Sequence, residues 1–362
     1  MLKRSSSRWL QIAAIACAIG ALLVVFLWQA YCWWLSYDAN RAALPARFGN
    51  TGRNLAAASS AGTADTAEIR FIALGDLGSK AIGPELVREL GTYKPDFAVL
   101  LGDVAWSGTP ADHLYLRRAL NTTLKTGFPV FYAPGNHDVG PGFTLDRWEA
   151  AYGPSHCFFT RGGNLFIIAR IPQFTEPDDD RGVQQLQETL RQHAAGAKRI
   201  FVFNHIPPGL GFEWSARTLH HQEKLLKLLE DYKVSYLITG DYHSYVRVQR
   251  GPTTILVSGG GGSKLKGGSL GFHHGMVFTI HDGAIQERIC TVPAAWEFPN
   301  RVEYAALVNS VPFMRQHPMV VVATDLIDAC LLFLLVRLCL RLRKTRSLAP
   351  HAGQAEQGIV HA

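Results

Sequence analysis

Five short polar clusters carry side chains able to hold a metal ion: Gly75-Asp76-Leu77-Gly78, Gly102-Asp103, Gly135-Asn136-His137-Asp138, Asn204-His205 and Gly240-Asp241-Tyr242-His243. Carboxylate and amide oxygens mixed with imidazole nitrogens make a donor set suited to Mn, Fe, Zn or Mg. The glycines beside them let the backbone turn tightly next to a ligand. Singly, each cluster is commonplace: a Gly-Asp is a frequent turn or helix cap, and Asn-His-Asp a frequent turn. In series, each just past a run of strand type, they describe one site assembled from several loops. His273, His274 and Lys264 lie close in sequence to that site and are candidates for the substrate side, whereas His220 and His221 read as a solvated helix start.

The elements that must position these loops are legible as alternation. Strand-like runs fall at 69–74, 97–101, 130–133, 165–170, 200–203, 235–239, 254–257 and 276–281, and helical patterns at 84–93, 112–126, 183–195 and 218–232. Such alternation predicts a layered α/β domain, whose ligands gather outside the carboxyl ends of strands. The run Ser258-Gly259-Gly260-Gly261-Gly262-Ser263 has the composition of a phosphate-cradling loop but no evident helix after it, so close backbone packing under the site is the expectation.

The clusters, in this order, resemble the calcineurin-like metallophosphoesterase superfamily, and within it the purple-acid-phosphatase-like branch. Ala73-Leu74-Gly75-Asp76-Leu77-Gly78 is similar to the Asp-x-Gly form of the first family motif, and Ala133-Pro134-Gly135-Asn136-His137-Asp138 matches the Gly-Asn-His motif in full. The similarity runs from about Ile69 to Ile289. It implies a four-layer αββα sandwich and two divalent metal ions sharing a bridging hydroxide. Carried over residue by residue, Asp103 bridges the metals, Asp76 and His243 complete the first site, and Asn136, His205 and Asp241 serve the second. His137 then stands by the leaving group as the catalytic acid or phosphate stabiliser.

Two positions depart from the family pattern. Trp106 stands where the purple enzymes have a metal-binding Tyr, and Gly78 adds no side chain, so the first metal loses its fourth protein ligand. Asp241 replaces the first His of Gly-His-x-His, exchanging nitrogen for oxygen at the second metal. A carboxylate has arrived as a phenolate has gone, which points to an adapted site with a tilt toward harder metals such as Mn or Mg.

The 362 residues, with net charge +7, hold one large domain and more. Much of the positive excess lies at the ends, in Lys3, Arg4 and Arg8 and in Arg337, Arg341, Arg343, Lys344 and Arg346, so nucleic acid is not an expected partner. From Trp9 to Tyr37 no residue is charged, and the run closes on Trp28, Tyr31, Trp33 and Trp34. About 20 apolar residues span a bilayer, and an aromatic belt marks its interface. Residues 319–340 form a second apolar segment, interrupted by Asp325 and Asp328 and followed by a basic stop.

The expected organisation is a cytoplasmic start and anchor at 1–37, a linker or stalk at 38–67, a catalytic domain at 68–300, a connector at 301–318, a second transmembrane helix at 319–340 and a basic disordered tail at 341–362. The alternative for 319–340 is an interfacial amphipathic helix; where it spans, basic residues on the same side of both segments put both termini in the cytoplasm and the domain on the outer face of the cytoplasmic membrane. Of six cysteines only Cys157 and Cys290 fall in the domain, a number compatible with one disulfide or two buried thiols. The leading expectation is therefore a bilayer-anchored phosphatase acting on a phosphoester. A phosphodiesterase for a lipid or envelope-glycan head group, and a catalytically silent metal-binding ectodomain, are the alternatives.

Overall fold

The computed structural model describes residues 2–59, 68–79, 82–173, 180–211, 219–291 and 297–347. The chain divides into two compact units, Asp38–Val308 and Met1–Tyr37 with Asn309–Ala362. In chain order the elements are α1 (Leu2–Arg41), α2 (Gly52–Ser59), β1 (Ile69–Leu74), α3 (Ile82–Gly91), β2 (Phe97–Leu100), α4 (Pro110–Thr123), β3 (Val130–Tyr132), α5 (Leu145–Tyr152), β4 (Cys157–Arg161) and β5 (Asn164–Ile168). There follow α6 (Arg181–His193), β6 (Ile200–Phe203), α7 (Gln222–Asp231), β7 (Tyr236–Thr239), β8 (Tyr245–Arg250), β9 (Thr253–Ser258), β10 (His274–His281), β11 (Ala284–Thr291), α8 (Phe298–Tyr304), α9 (Val311–Gln316) and α10 (Pro318–Ser347).

The strands of the larger unit form two mixed sheets, ordered β11-β10-β1-β2-β3 and β4-β5-β6-β7-β9-β8. Successive side chains of a strand point to opposite faces, and both faces here are apolar. Phe97, Val99 and Leu101 face the opposite sheet, while Ala98 and Leu100 face the helices. Pairing sets Phe71 opposite both Phe97 and Phe278, so the three rings stack at 5.2 and 4.6 Å. Phe166, Phe201 and Phe203 of the second sheet meet Phe71 edge-on. Helices α3, α4 and α5 cover the outer face of the first sheet, and α6 and α7 that of the second. The result is the expected αββα sandwich.

Eight strands fall where the sequence pattern puts them, within a few residues. The three it does not reveal, β4, β8 and β11, are all sheet edges. Half-exposed edges with residues such as Arg247, Gln249, Glu287 and Arg288 blunt further pairing but give a weak apolar signal.

One expectation needs correction, and one open alternative is decided. The stretch after Asp38 is no bare linker: Phe48 is buried in the outer core and bridges to Val130 at the edge of the first sheet. The Asn50 side chain is buried and pairs both ways with the Tyr132 backbone, Asn54 donates to the Gly49 carbonyl, and α2 packs on β4. Its polar composition hid this role because Asn satisfies backbone groups that an edge strand leaves open. Residues 60–67 lie outside the described residues. Cys157 and Cys290 are both buried free thiols, one between the sheets and the other under the helices of the first sheet, and form no disulfide.

In the smaller unit, Leu10–Arg41 and Pro318–Arg341 are long and apolar enough to cross a membrane. Within it the Trp28 indole donates to the Ser310 hydroxyl at 3.3 Å, and Arg315 donates to the Ser36 hydroxyl at 2.9 Å.

Candidate metal centre

All five polar clusters sit at the carboxyl ends of parallel strands, gathered along one rim of the two sheets. Leu74 and Leu100 are paired neighbours, so the loops carrying Asp76 and Asp103 leave side by side. Asn136 follows β3, His205 follows β6, and Asp241 and His243 follow β7. The His205 Nδ1 is 2.6 Å from the Leu101 carbonyl, a contact that crosses between the sheets.

Two groups of donors form around a shared carboxylate. Asp76, Asp103 and His243 offer ligand atoms within 4.8 Å of one another, with His243 Nε2 at 3.3 Å from Asp76 Oδ1. Around His205 Nε2 lie Asp103 Oδ1 at 3.2 Å, Asn136 Oδ1 at 3.2 Å and Asp241 Oδ1 at 3.9 Å. Three carboxylates buried this closely repel one another unless positive charge is held between them. The buried Asp76 Oδ1 receives no hydrogen bond, an atom left for a cation. Burial acts to raise the Asp103 carboxyl, but His205 overrides it and holds the group at about 2. Burial also acts to lower the His205 imidazole; Asp103, then Asp76 and Asp241, lift it well above the ordinary value.

Each imidazole is oriented for ligation or proton transfer by its far nitrogen. His205 Nδ1 donates to Leu101, His243 Nδ1 to the Lys264 carbonyl at 2.7 Å, and His137 Nδ1 to the Trp106 carbonyl at 2.9 Å. That fixes Nε2 as the free nitrogen facing the carboxylates. Backbone amides finish the arrangement: Asp241 N–H donates to Asp76 Oδ2 at 2.8 Å, and His137 N–H to Asp103 Oδ1 at 2.9 Å. His137 is half-exposed, with Nε2 4.0 Å from Asp103 Oδ2. It faces solvent beside the cluster without being buried in it.

Placing side chains so closely costs backbone strain. Asp76, Asp103, Asp241 and His243 all have positive φ, between 49° and 66°, a conformation non-glycine residues seldom adopt. Two glycines show how little room remains. A Cβ on Gly135 would lie 2.2 Å from Asp103 Oδ1, and one on Gly259 would lie 2.8 Å from Asp76 Oδ2. The second contact explains the glycine run, whose backbone lies against the metal loop: Gly261 N–H donates to Gly75, and Ser263 N–H to Asp76.

Two candidate substrate-side residues part company. His273 is half-buried, with Nδ1 3.2 Å from the Gly260 carbonyl at the loop beside the site. His274 is wholly buried between Phe272 and Tyr245, and burial pushes its imidazole down to about 4. It is a neutral core residue closed to substrate, because its position begins β10 and its side chain points inward. The first departure from the family pattern also has a spatial account. A Cβ on Gly78 would meet Ser263 Oγ at 2.4 Å and the Trp106 ring at 3.3 Å, so Ser263 and Trp106 occupy the space a side chain at 78 would need.

Sequence reasoning missed a supporting network. The buried Asp112 carboxylate accepts from the Ser79 hydroxyl at 3.1 Å, from the Ser107 amide and hydroxyl, and from the Tyr304 hydroxyl at 3.3 Å. The Asn300 amide donates to the Ser79 carbonyl at 2.7 Å. Asp112 thus ties together the loops bearing Asp76 and Asp103 and joins both to α8. Asp112 lies in the first turn of α4, where its backbone amide donates to the Thr109 cap. Lys266, whose amide donates to the His243 carbonyl, was missed as well; its exposed charge acts on the His243 imidazole.

A family model described as calcineurin-like phosphoesterase matches residues 69–245. Comparison with curated protein sequences gives no match. Among solved structures the chain is similar to a dimetal phosphatase from Danio rerio, at 13% identity and TM-score 0.49, covering 61% of this chain and 95% of that one. It is similar to the GAP50 anchor in the inner membrane complex of Plasmodium, at 15% identity and TM-score 0.45, covering 66% and 95%. It is also similar to a purple acid phosphatase from yellow lupin, at 16% identity and TM-score 0.46, covering 64% and 53%. None of these likenesses carries a substrate or partner across to this chain.

Proposed function

Since the chain belongs to the calcineurin-like metallophosphoesterase superfamily and is a phosphoric ester hydrolase of it, we propose that it works with two divalent metal ions and is anchored at the outer face of the cytoplasmic membrane. The observation that carries the two-ion reading is the shared position of Asp103, which belongs to the Asp76–His243 group and to the group around His205. Asp76, Asp103 and His243 would hold one ion, and Asp103, Asn136, His205 and Asp241 the other. The donor set fits: hard oxygens predominate, imidazole Nε2 atoms are freed by their backbone bonds, and Asp76 Oδ1 lacks a donor. Mn, Fe, Zn and Mg all suit such a set, and the carboxylate at 241 favours the harder ions.

Such a pair of ions supplies an activated water and offsets charge on the phosphoryl oxygens. The protein's own contribution is positioning and proton transfer. His137, held by the Trp106 carbonyl, presents Nε2 at the open side of the centre, where it gives a proton to the departing oxygen. Lys266 and His273 border the same opening and offer positive charge or a hydrogen bond to the phosphate. The strained loops keep these groups in place before substrate arrives, so little reorganisation accompanies the reaction.

The presence of His137 and of an intact shared carboxylate favours turnover over a silent metal-binding role. For location, two helices able to cross a membrane flank the domain, and basic residues at both ends support cytoplasmic termini. Full-length protein in detergent, assayed on a generic phosphomonoester and a generic diester with Mn, Mg, Zn and Fe in turn, tests the reading. Metal-dependent turnover supports it, and the preferred ester separates a phosphatase from a head-group phosphodiesterase. A folded protein that binds these ions yet turns over neither ester refutes it.

A further inference from the structure

At the opposite ends of the strands from the metal loops, the structure contains a second concave feature. A cleft of about 720 Å³ is bordered by the entries to β2 and β3, the end of β4 and the chain near Arg47. Asp96 sits at the start of β2 and Asp103 just past its end, so roughly 20 Å of strand separates the two features. Ligand sites fall between about 300 and 1,000 Å³, a range that includes this cleft.

Its lining is one-sided in charge. Arg47, Arg88, Lys94, Lys125 and Arg161 face a single carboxylate, Asp96. That carboxylate is fully engaged, Oδ1 with Arg161 at 2.5 Å and Oδ2 with the Arg70 amide at 2.8 Å. Among the described residues, Arg47, Arg88, Lys94 and Lys125 have no carboxylate partner. Arg161 is only 7% exposed and donates to the Ala58 carbonyl, yet its buried Nε has no acceptor. A buried donor without a partner is uncommon and calls for an explanation. Four cations without a carboxylate partner among the described residues, on one concave surface, repel one another and focus a positive potential that neutral or cationic solutes cannot relieve.

We infer that this cleft is a binding site for a phosphate-bearing anion of several charges, separate from the metal centre. The chemistry fits that class. Arg47 and Arg88 offer planar forks matched to phosphate oxygens, and Lys94 and Lys125 supply compact charge. The same chemistry is met by a soluble polyphosphate and by the head group of a phosphomonoester lipid.

The test uses the full-length protein in detergent with excess EDTA, so that the metal centre takes no part. Tripolyphosphate, and separately a short-chain phosphatidate below its micelle concentration, are titrated by calorimetry into the wild type and into the Arg88→Ala/Lys125→Ala double variant. Both substituted residues are exposed, so the fold is retained, and metal-dependent hydrolysis after EDTA removal is expected to match the wild type. Saturable binding of either probe, weakened about tenfold or more in the variant, supports the inference, and the tighter probe identifies the source. Binding of neither probe, or binding unchanged in the variant, overturns it.

Discussion

The proposed chemistry depends on a few atoms and the distances between them. His137 is separated from the buried ligands by its exposure and by the Trp106 carbonyl that fixes its ring. If it gives a proton to the departing oxygen, its loss must matter most where that oxygen leaves poorly. His137→Ala is therefore expected to slow hydrolysis of an alkyl phosphate by about 10²- to 10⁴-fold, and of a nitrophenyl phosphate far less. Equal losses on both esters would show that the residue binds phosphate instead. At this scale the sequence was informative where a side chain's type is the signal: the side chains of Asp76, Asp103, Asn136, His205, Asp241 and His243 lie together. It was uninformative where direction decides. His273 and His274 are adjacent, and only the inward turn of β10 separates a half-buried imidazole from a core one.

At the scale of elements, the strands and glycine-rich turns deliver the ligands, and the Asp112 network holds the turns together. Removing that carboxylate takes the acceptor from Ser79, Ser107 and Tyr304 and loosens α8 against two loops that backbone hydrogen bonds from Asp76, Gly78 and Ser79 still join. Asp112→Asn and Asn300→Ala are expected to weaken metal binding by about 10- to 100-fold, as outer partners of metal ligands commonly do. Binding measured with a metal-sensitive dye, beside an unchanged thermal midpoint of the apo protein, separates this from general destabilisation. Since α8 lies beyond residues 69–245, the network also ties a segment outside the family match to the loops of the candidate metal centre. Between the sheets, Phe71 stacks on both neighbours and touches three rings opposite. Phe71→Ala is expected to cost about 3–5 kcal/mol, measured as a lower urea midpoint with unchanged metal content. Central strands were legible because both faces are apolar. Edge strands and the Phe48–Asn54 stretch were not, since their contribution is backbone pairing by polar side chains.

For the whole molecule, burial has charge consequences away from the site. His113 and His156 are enclosed, and burial pushes both imidazoles down from 6.5 to about 4. The unfolded chain then binds protons that the folded one refuses across that interval. Their stabilising contribution is complete above about pH 6.5 and lost as pH falls toward about 4. Chemical denaturation between those limits should show His113→Gln losing less stability than the wild type as pH falls; equal losses in the two would contradict the burial argument. The two apolar helices were plain in the sequence because length and composition alone define them.

The central claim is that Asp103 serves two metal ions at once. Its most direct test is metal content and Mn-supported phosphoester hydrolysis, measured together on full-length wild type and on Asp103→Asn. The account predicts two ions per wild-type chain, at least one ion lost in the variant, and hydrolysis reduced by more than about a hundredfold. A variant that keeps both ions and wild-type turnover would contradict it.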